Sequence, residues 1–226
     1  MESSITINVR GFMGSLAKRL KTYGLCRKRK AIGMLQETHT LESDESKIRS
    51  EWEGEIICSH GTSKSAGVII LIPPNVSVEN IFKDESGRIV ACFVPSLNIT
   101  LCNIYSPCHD KRRDQKLFYK DLIGYTKNLP NLVLGGDKNL IFDALLDRQS
   151  KTKYVKTEAD YLVEEWLLER QLIDIWRVRN PELRRFTWRQ RTRGGLVQSR
   201  LDNWLIDINL QFSVKSCEIL TSTILP

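Results

Sequence analysis

The sequence of 226 residues has no CxxC pair among its six cysteines (26, 58, 92, 102, 108 and 217) and no HxxxH pair among its three histidines (39, 60 and 109). Structural zinc sites rest on close, repeated ligand spacings, so this scatter argues against one and fits the reduced thiols of an intracellular protein. No apolar run approaches the length of a membrane span, and the N-terminal MESSITINVRG has no secretory apolar core. The expectation is a soluble protein of the cell interior with no membrane partner. Internal repeats, low-complexity tracts and Pro- or Gly-rich linkers are also missing. Residues 1–226 therefore suit one domain, long enough to bury a substantial core.

Positive charge is what the sequence has in excess: 34 Lys and Arg against 27 Asp and Glu, a formal +7. Taken singly, the basic runs at 27–30 and 111–113 are ordinary solvated faces. Their sum favours a polyanionic partner without naming one.

Short apolar segments alternate with polar turns through the first half: 5–9 (ITINV), 31–35 (AIGML), 55–59 (EIICS), 66–72 (AGVIILI), 77–82 (SVENIF), 88–94 (RIVACFV) and 99–105 (ITLCNIY). Several are apolar at nearly every position, as strands covered on both faces are. Three stretches have helical periodicity instead. Leu16 and Leu20 mark a basic helix over 15–22, and Phe118, Leu122 and Tyr125 mark another over 111–127. In TEADYLVEEWLLERQ, Ala159, Leu162, Val163, Trp166 and Leu167 form a stripe at i, i+3, i+4, i+7 and i+8, with Thr157 and Asp160 spaced as a capping box. A stripe of that width packs on a sheet. Strands resume at 185–189, 199–206 and 214–220. The fold class expected is α/β, sheet packed on sheet with helices outside.

Polar side chains sit at the ends of these apolar segments. Asn8 closes ITIN, Glu37 follows AIGMLQ, Tyr105 closes LCNIY, and Asp137 and Asn139 follow NLVLGG, while Asp202 lies within SRLDNWLI. Each alone reads as a cap or turn residue; their common placement at strand ends, where a sheet holds side chains rigidly, is what points to a site. Phosphodiester cleavage needs a cation to screen the phosphate, a base to align water, and donors for charge developing on phosphorus. A hard ion such as Mg²⁺ (or Mn²⁺) takes a carboxylate and keeps several waters, which suits Glu37 supported by Asn8. Asp137 is placed to accept a proton from water. Asn139, on the same side of an extended segment by alternation, would orient that water or the phosphate. The Tyr105 phenol would donate to a phosphate oxygen, with the two glycines before Asp137 giving the phosphate room.

INVRG, LQETH, NIYSP, GGDKN and SRLDNWLI, in that order, resemble the endonuclease/exonuclease/phosphatase superfamily. More narrowly, SHGTSKSAGVIIL, LDRQS, LIDIWRVRNPE, RFTWRQ and QSRLDNWLI resemble the apurinic-endonuclease-like domain of LINE-type, non-LTR retrotransposons. The resemblance covers essentially the whole chain. It implies a four-layer α/β sandwich of two mixed sheets face to face, flanked by helices. The implied activity is Mg²⁺-dependent nicking of DNA that primes reverse transcription, in the nucleus, beside a reverse transcriptase domain of a parent polyprotein. Residue by residue it implies a metal ligand at Glu37, a supporting amide at Asn8, transition-state support at Tyr105, the base at Asp137 and the orienting amide at Asn139. It makes Asp202 the acid that positions a catalytic histidine.

That histidine belongs in relatives to an SDH motif following the segment matched by VKSCEIL, before a final strand; here the sequence reads TSTILP. The expectation is a chain lacking the SDH segment and last strand, with impaired turnover. Two smaller departures are Arg10, where relatives carry a smaller polar group, and Lys138, where an apolar residue is usual in GGDxN. Alternation turns Lys138 toward the layer behind the site, where an ammonium must snorkel or be paired. In RQRTRGGLVQ, Arg189, Arg191 and Arg193 precede a Gly-Gly turn, so a β-hairpin with arginines along one arm is expected. In retrotransposon relatives the matching hairpin enters a DNA groove; a flexible charged loop is the plainer alternative. Ser199, at the start of SRLD, joins the arginines as a DNA contact. Two other functions stay open: a DNA-binding remnant without turnover, and a phosphatase built on the same superfamily core.

Overall fold

The computed structural model describes residues 3–192 and 194–220. The chain divides into two compact units, the first made of residues 3–105 with Leu134–Gly136, the second of Ser106–Val133 with Asp137–Leu220. No helix among the described residues is long and apolar enough to cross a membrane.

The first unit runs β1 (Ser3–Asn8), α1 (Leu16–Arg29), β2 (Ala31–Gln36), α2 (Glu45–Glu51), β3 (Glu55–Ser59), β4 (Val68–Ile72), β5 (Glu79–Lys83), β6 (Ile89–Val94) and β7 (Ile99–Tyr105). One mixed sheet has the order β1-β2-β4-β3, parallel only between β1 and β2. Strands β5, β6 and β7 form an antiparallel ladder of the second sheet. Every residue of β2 and β4 is buried, because α1 covers the first sheet on one side and β6 and β7 cover it on the other. That double cover explains their nearly continuous apolar sequences.

Between the sheets lies a polar tie. Asn103 of β7 is fully buried and donates through Nδ2 to the carbonyls of Leu35 and Ile69, 3.0 Å each, while Gln36 Nε2 donates to Asn103 Oδ1 at 2.6 Å. Truncation to Asn103→Ala leaves buried groups unsatisfied at a cost of about 1–3 kcal/mol, plus a cavity. A chain of this size loses roughly 2–4 °C of melting temperature per kcal/mol. The expected outcome in thermal unfolding is a Tm lower by about 5–10 °C.

Helix α1 begins at Ser15, whose Oγ accepts from Lys18 N at 3.4 Å, and ends at Lys30 in the left-handed conformation. It is longer than its expected 15–22 and buries a different face. Leu16 and Leu20 are exposed, whereas Arg19, Tyr23 and Cys26 point inward, Tyr23 against Phe12 and Trp52. Arg19 can be buried because Glu51 receives it at both ends of its fork, Nε to Oε2 at 2.7 Å and Nη2 to Oε1 at 3.0 Å. The continuing buried face carries the helix through the basic run 27–29.

The second unit holds α3 (Arg112–Thr126), the ends of β8 (Leu132–Asp137), β9 (Arg148–Gln149), α4 (Glu158–Glu169), β10 (Leu172–Asp174), α5 (Ile175–Arg179), β11 (Trp188–Thr192), β12 (Gly195–Ser199) and β13 (Leu205–Asp207). Helices α3 and α4 pack on each other and α4 on β10, through the expected stripe of Ala159, Val163 and Trp166. Its capping residue is where the spacing put it: Asp160 Oδ2 accepts from Thr157 N at 2.7 Å. Residues 199–206 are not one strand. Strand β12 ends at Ser199, the chain leaves the ladder, and β13 starts at Leu205 to pair with β10. The expected strand at 214–220 does not form among the described residues, and TSTILP lies outside them.

The chain thus has the expected α/β class: two large sheets, one mixed in direction, with helices packed against them.

Candidate active site

In the first unit, β1 and β2 run in register to Asn8 opposite Gln36. The pairing then continues as loop: Gly11 N donates to Glu37 O at 2.7 Å and Phe12 N to Thr38 O at 2.8 Å. On the other flank Thr38 N donates to Gly67 O and His39 N to Ala66 O, each at 3.0 Å. Glu37 is therefore held from both sides at the end of a buried strand, in a left-handed backbone (φ +51°) that a non-glycine residue rarely adopts. Such backbone strain gathers at functional sites. The Tyr105 hydroxyl donates to Glu37 Oε1, and Asn8 Oδ1 accepts from Arg10 N at 3.2 Å. Arg88 stacks on the Tyr105 ring and donates to its carbonyl at 3.0 Å, fixing the phenol at the end of β7. Three of the expected residues, Asn8, Glu37 and Tyr105, thus stand at strand ends in this unit. A carboxylate with an amide oxygen and no thiolate is a donor set that fits a hard divalent ion.

In the second unit, Asp137 and Asp202 form an isolated antiparallel bridge, and Lys138 N donates to Leu201 O at 3.0 Å. Asp137 is buried, and its Oδ1 accepts from Asn139 N at 3.0 Å. Asn139 is not in an extended segment. Its φ is +49°, so alternation does not set its direction; the turn closed by Asp137 does. Asn139 Nδ2 donates to Ser106 O at 2.9 Å, and its own carbonyl accepts from Gln115 Nε2 at 3.0 Å. Lys138 is fully buried and paired, as an ammonium there must be, with Nζ donating to Asn203 O at 2.7 Å. Tyr119 donates to Lys138 O at 2.6 Å, and burial holds its phenol well above the ordinary tyrosine pKa.

Sequence reasoning missed the residues that set these side chains in place. Ser106 N donates to Asp137 O at 2.9 Å, and Thr187 Oγ1 accepts from the amides of Leu201 and Asp202 at 3.0 and 3.1 Å. Asp147 and Arg200 explain why LDRQ and SRLD go together. Arg200, buried to 1% exposure, gives Nε and Nη2 to the two Asp147 oxygens at 2.8 Å each and meets Asp174 at 2.6 Å. Burial opposes its charge, but the two carboxylates more than offset this and raise its pKa. The link to Asp147 fixes the chain two residues before Asp202.

Of the two glycines before Asp137, the second has a structural requirement of its own. Gly136 has φ +118°, and a Cβ there would stand 2.1 Å from Ile104 O, so the close backbone approach requires glycine. The hairpin forms as β11–β12, but Gly195 is already in β12, paired with Thr192, and so is not part of the expected Gly-Gly turn. Arg189 and Arg191 lie two apart on one exposed arm; Arg193 is outside the described residues. Ser199 is buried, in register with Trp188 and Arg148, and does not share the arginines' exposed face.

No protein family's sequence profile matches this chain. A Xenopus laevis protein described as an uncharacterized 149 kDa transposon TX1 protein is 30% identical over 196 residues, 84% of this chain and 15% of that protein's length. Among solved structures, an AP endonuclease from Archaeoglobus fulgidus matches with a TM-score of 0.71 at 22% identity, covering 92% of this chain and 87% of that one. A 3′ phosphatase from Neisseria, solved with product DNA hairpin, gives 0.66 at 18% identity over 92% and 87%. The endonuclease domain of TRAS1, a telomere-specific non-LTR retrotransposon, gives 0.57 at 16% over 91% and 84%. The chain therefore has the fold of the AP endonucleases, shared with a non-LTR retrotransposon endonuclease domain, and is similar in sequence to a segment of a transposon protein.

Proposed function

We propose that the chain is a metal-dependent DNA endonuclease domain of retroelement origin. The observation that supports this most is the Glu37 carboxylate, held in a left-handed backbone between two flanking segments and joined to the Tyr105 phenol, in a chain with the AP endonuclease fold. Glu37 with Asn8 would hold Mg²⁺ or Mn²⁺, which when bound supplies charge neutralisation at the phosphate. Asp137 accepts a proton from water, and Asn139 orients that water. The water oxygen bonds to phosphorus, the bond from phosphorus to the 3′ oxygen breaks, and that oxygen takes a proton from solvent. The products are a 3′-hydroxyl and a 5′-phosphate. With Glu37 committed to the cation, the Tyr105 hydroxyl would turn from it and donate to a phosphoryl oxygen, and Asp202 would be a positioning acid.

A free 3′-hydroxyl is the end from which a reverse transcriptase extends. The similarity to a transposon protein supports a setting beside such a domain; this chain spans 15% of that relative's length. Incubation with supercoiled plasmid and Mg²⁺ tests the function. Conversion to the nicked circle, stopped by a chelator, is expected; binding without conversion would leave a DNA-binding protein.

Arg189, Arg191 and Arg193 are proposed to enter a DNA groove, since narrow minor grooves attract arginine. Replacing all three with alanine is expected to weaken DNA binding and flatten its salt dependence, the slope falling by about 0.9 for each phosphate no longer neutralised. Identical binding across a salt series would remove the hairpin from the interface.

A further inference from the structure

We propose that Glu45, Cys58 and His60 form a binding site for a borderline-soft divalent cation of the zinc class, using none of the residues assigned to phosphodiester hydrolysis. One donor atom from each lies within 4.8 Å of the other two. Zinc holds nitrogen at about 2.0–2.1 Å and sulfur at about 2.3 Å, so a tetrahedral site needs donors roughly 3.3–3.8 Å apart. The His60 Nε2 to Glu45 Oε1 distance is already 3.1 Å. Side-chain rotation alone has to close the rest.

Local structure presents the three groups in common. Cys58 lies in β3 and His60 just beyond it, two residues apart and so on one face, while Glu45 opens α2. The intervening Ser59 turns the other way, its Oγ donating to Asp84 Oδ1 at 2.7 Å. Ligating histidines are characteristically fixed through their second nitrogen. His60 has that arrangement, with Nδ1 at 3.2 Å from Thr40 Oγ1, itself 2.9 Å from Thr38 Oγ1. This leaves Nε2 to face Glu45. Cys58 is buried, while His60 and Glu45 keep 18% and 24% of their side chains exposed, which gives an ion a way in.

The charges nearby are of both signs. Arg49 reaches Glu45 Oε2 at 3.1 Å, leaving Oε1 on the His60 side, and Lys83 also acts on Glu45 and Cys58. Burial, with Glu45 adding to it, pushes the Cys58 thiol up to about 12, so a metal must displace its proton on binding. The thiolate and carboxylate then balance the ion's two charges. Sequence spacing argued against structural zinc because Glu45 reaches the pair Cys58 and His60 only through the fold.

Titration of the full chain with Co²⁺ tests the site. The expected result is one equivalent bound with a thiolate-to-cobalt absorption band, displaced by Zn²⁺. The band should be absent in Cys58→Ala and in His60→Gln, and retained in Glu37→Gln and in the double variant Cys108→Ser/Cys217→Ser. His60 is partly exposed, so His60→Gln serves if Cys58→Ala does not fold. Zn²⁺ at a hundredfold excess over Kd should raise Tm by roughly 5–10 °C, and His60→Gln should abolish the rise. Absence of a thiolate band, a band surviving in His60→Gln, or a band lost with Cys108 and Cys217 would overturn the proposal.

Discussion

Glu37→Gln is expected to eliminate Mg²⁺-dependent nicking while leaving DNA affinity within a few-fold of the parent chain. The amide keeps an Oε1 that accepts from Tyr105, and the backbone hydrogen bonds at residues 36–39 do not involve the side chain. Folding should therefore survive. What disappears is the negative charge by which this position is proposed to hold a hard cation. Charge stabilisation of that kind contributes several kcal/mol to a transition state, and each 1.36 kcal/mol is about tenfold in rate. The expected loss is at least about 10³-fold, read as the rate of nicked-circle formation. Partial recovery at high Mn²⁺ would agree with a weakened ligand. An unchanged rate would remove Glu37 from the site.

The second large effect belongs to Asp137. Asp137→Asn retains an Oδ1 that can accept from Asn139 N, and the bond from Ser106 N to the Asp137 carbonyl is untouched. The turn that directs Asn139 therefore persists. An amide cannot take the proton from attacking water, and general bases contribute about 10²–10⁴-fold. We expect a loss of that size in single-turnover nicking, with Mg²⁺ dependence and DNA affinity retained. If nicking continued at the parental rate, another group would be the base.

How far these assignments were visible in advance differs from element to element. Strands β2, β4, β6 and β7 were legible because burial on both faces makes their sequences apolar at almost every position. Helix α4 was legible through its stripe and cap. Helix α1 misled, because its inward face uses Arg19, a residue that hydropathy reads as exposed, while Leu16 and Leu20 face outward. Helices α2 and α5, of seven and five residues, are too short for periodicity to show. The placement of Asn8, Glu37, Tyr105 and Asp137 at strand ends was legible as polar groups closing apolar runs, yet their orientation was not. The left-handed backbones of Glu37 and Asn139 arise from hydrogen bonds with remote segments and from a side-chain turn, neither of which alternation contains. The roles of Thr187, Asp147 and Arg200 were hidden for the same reason, since their partners lie far along the chain.

The central claim is that this chain hydrolyses a DNA phosphodiester with water and leaves a 3′-hydroxyl. Supercoiled plasmid treated with the chain and Mg²⁺, then offered to a DNA polymerase with labelled nucleotide, measures both parts together. The account predicts nicked circles that incorporate label without further processing, at a rate that falls to background in Glu37→Gln. Plasmid left supercoiled by the folded chain, or nicks that form equally well in Glu37→Gln, would contradict it.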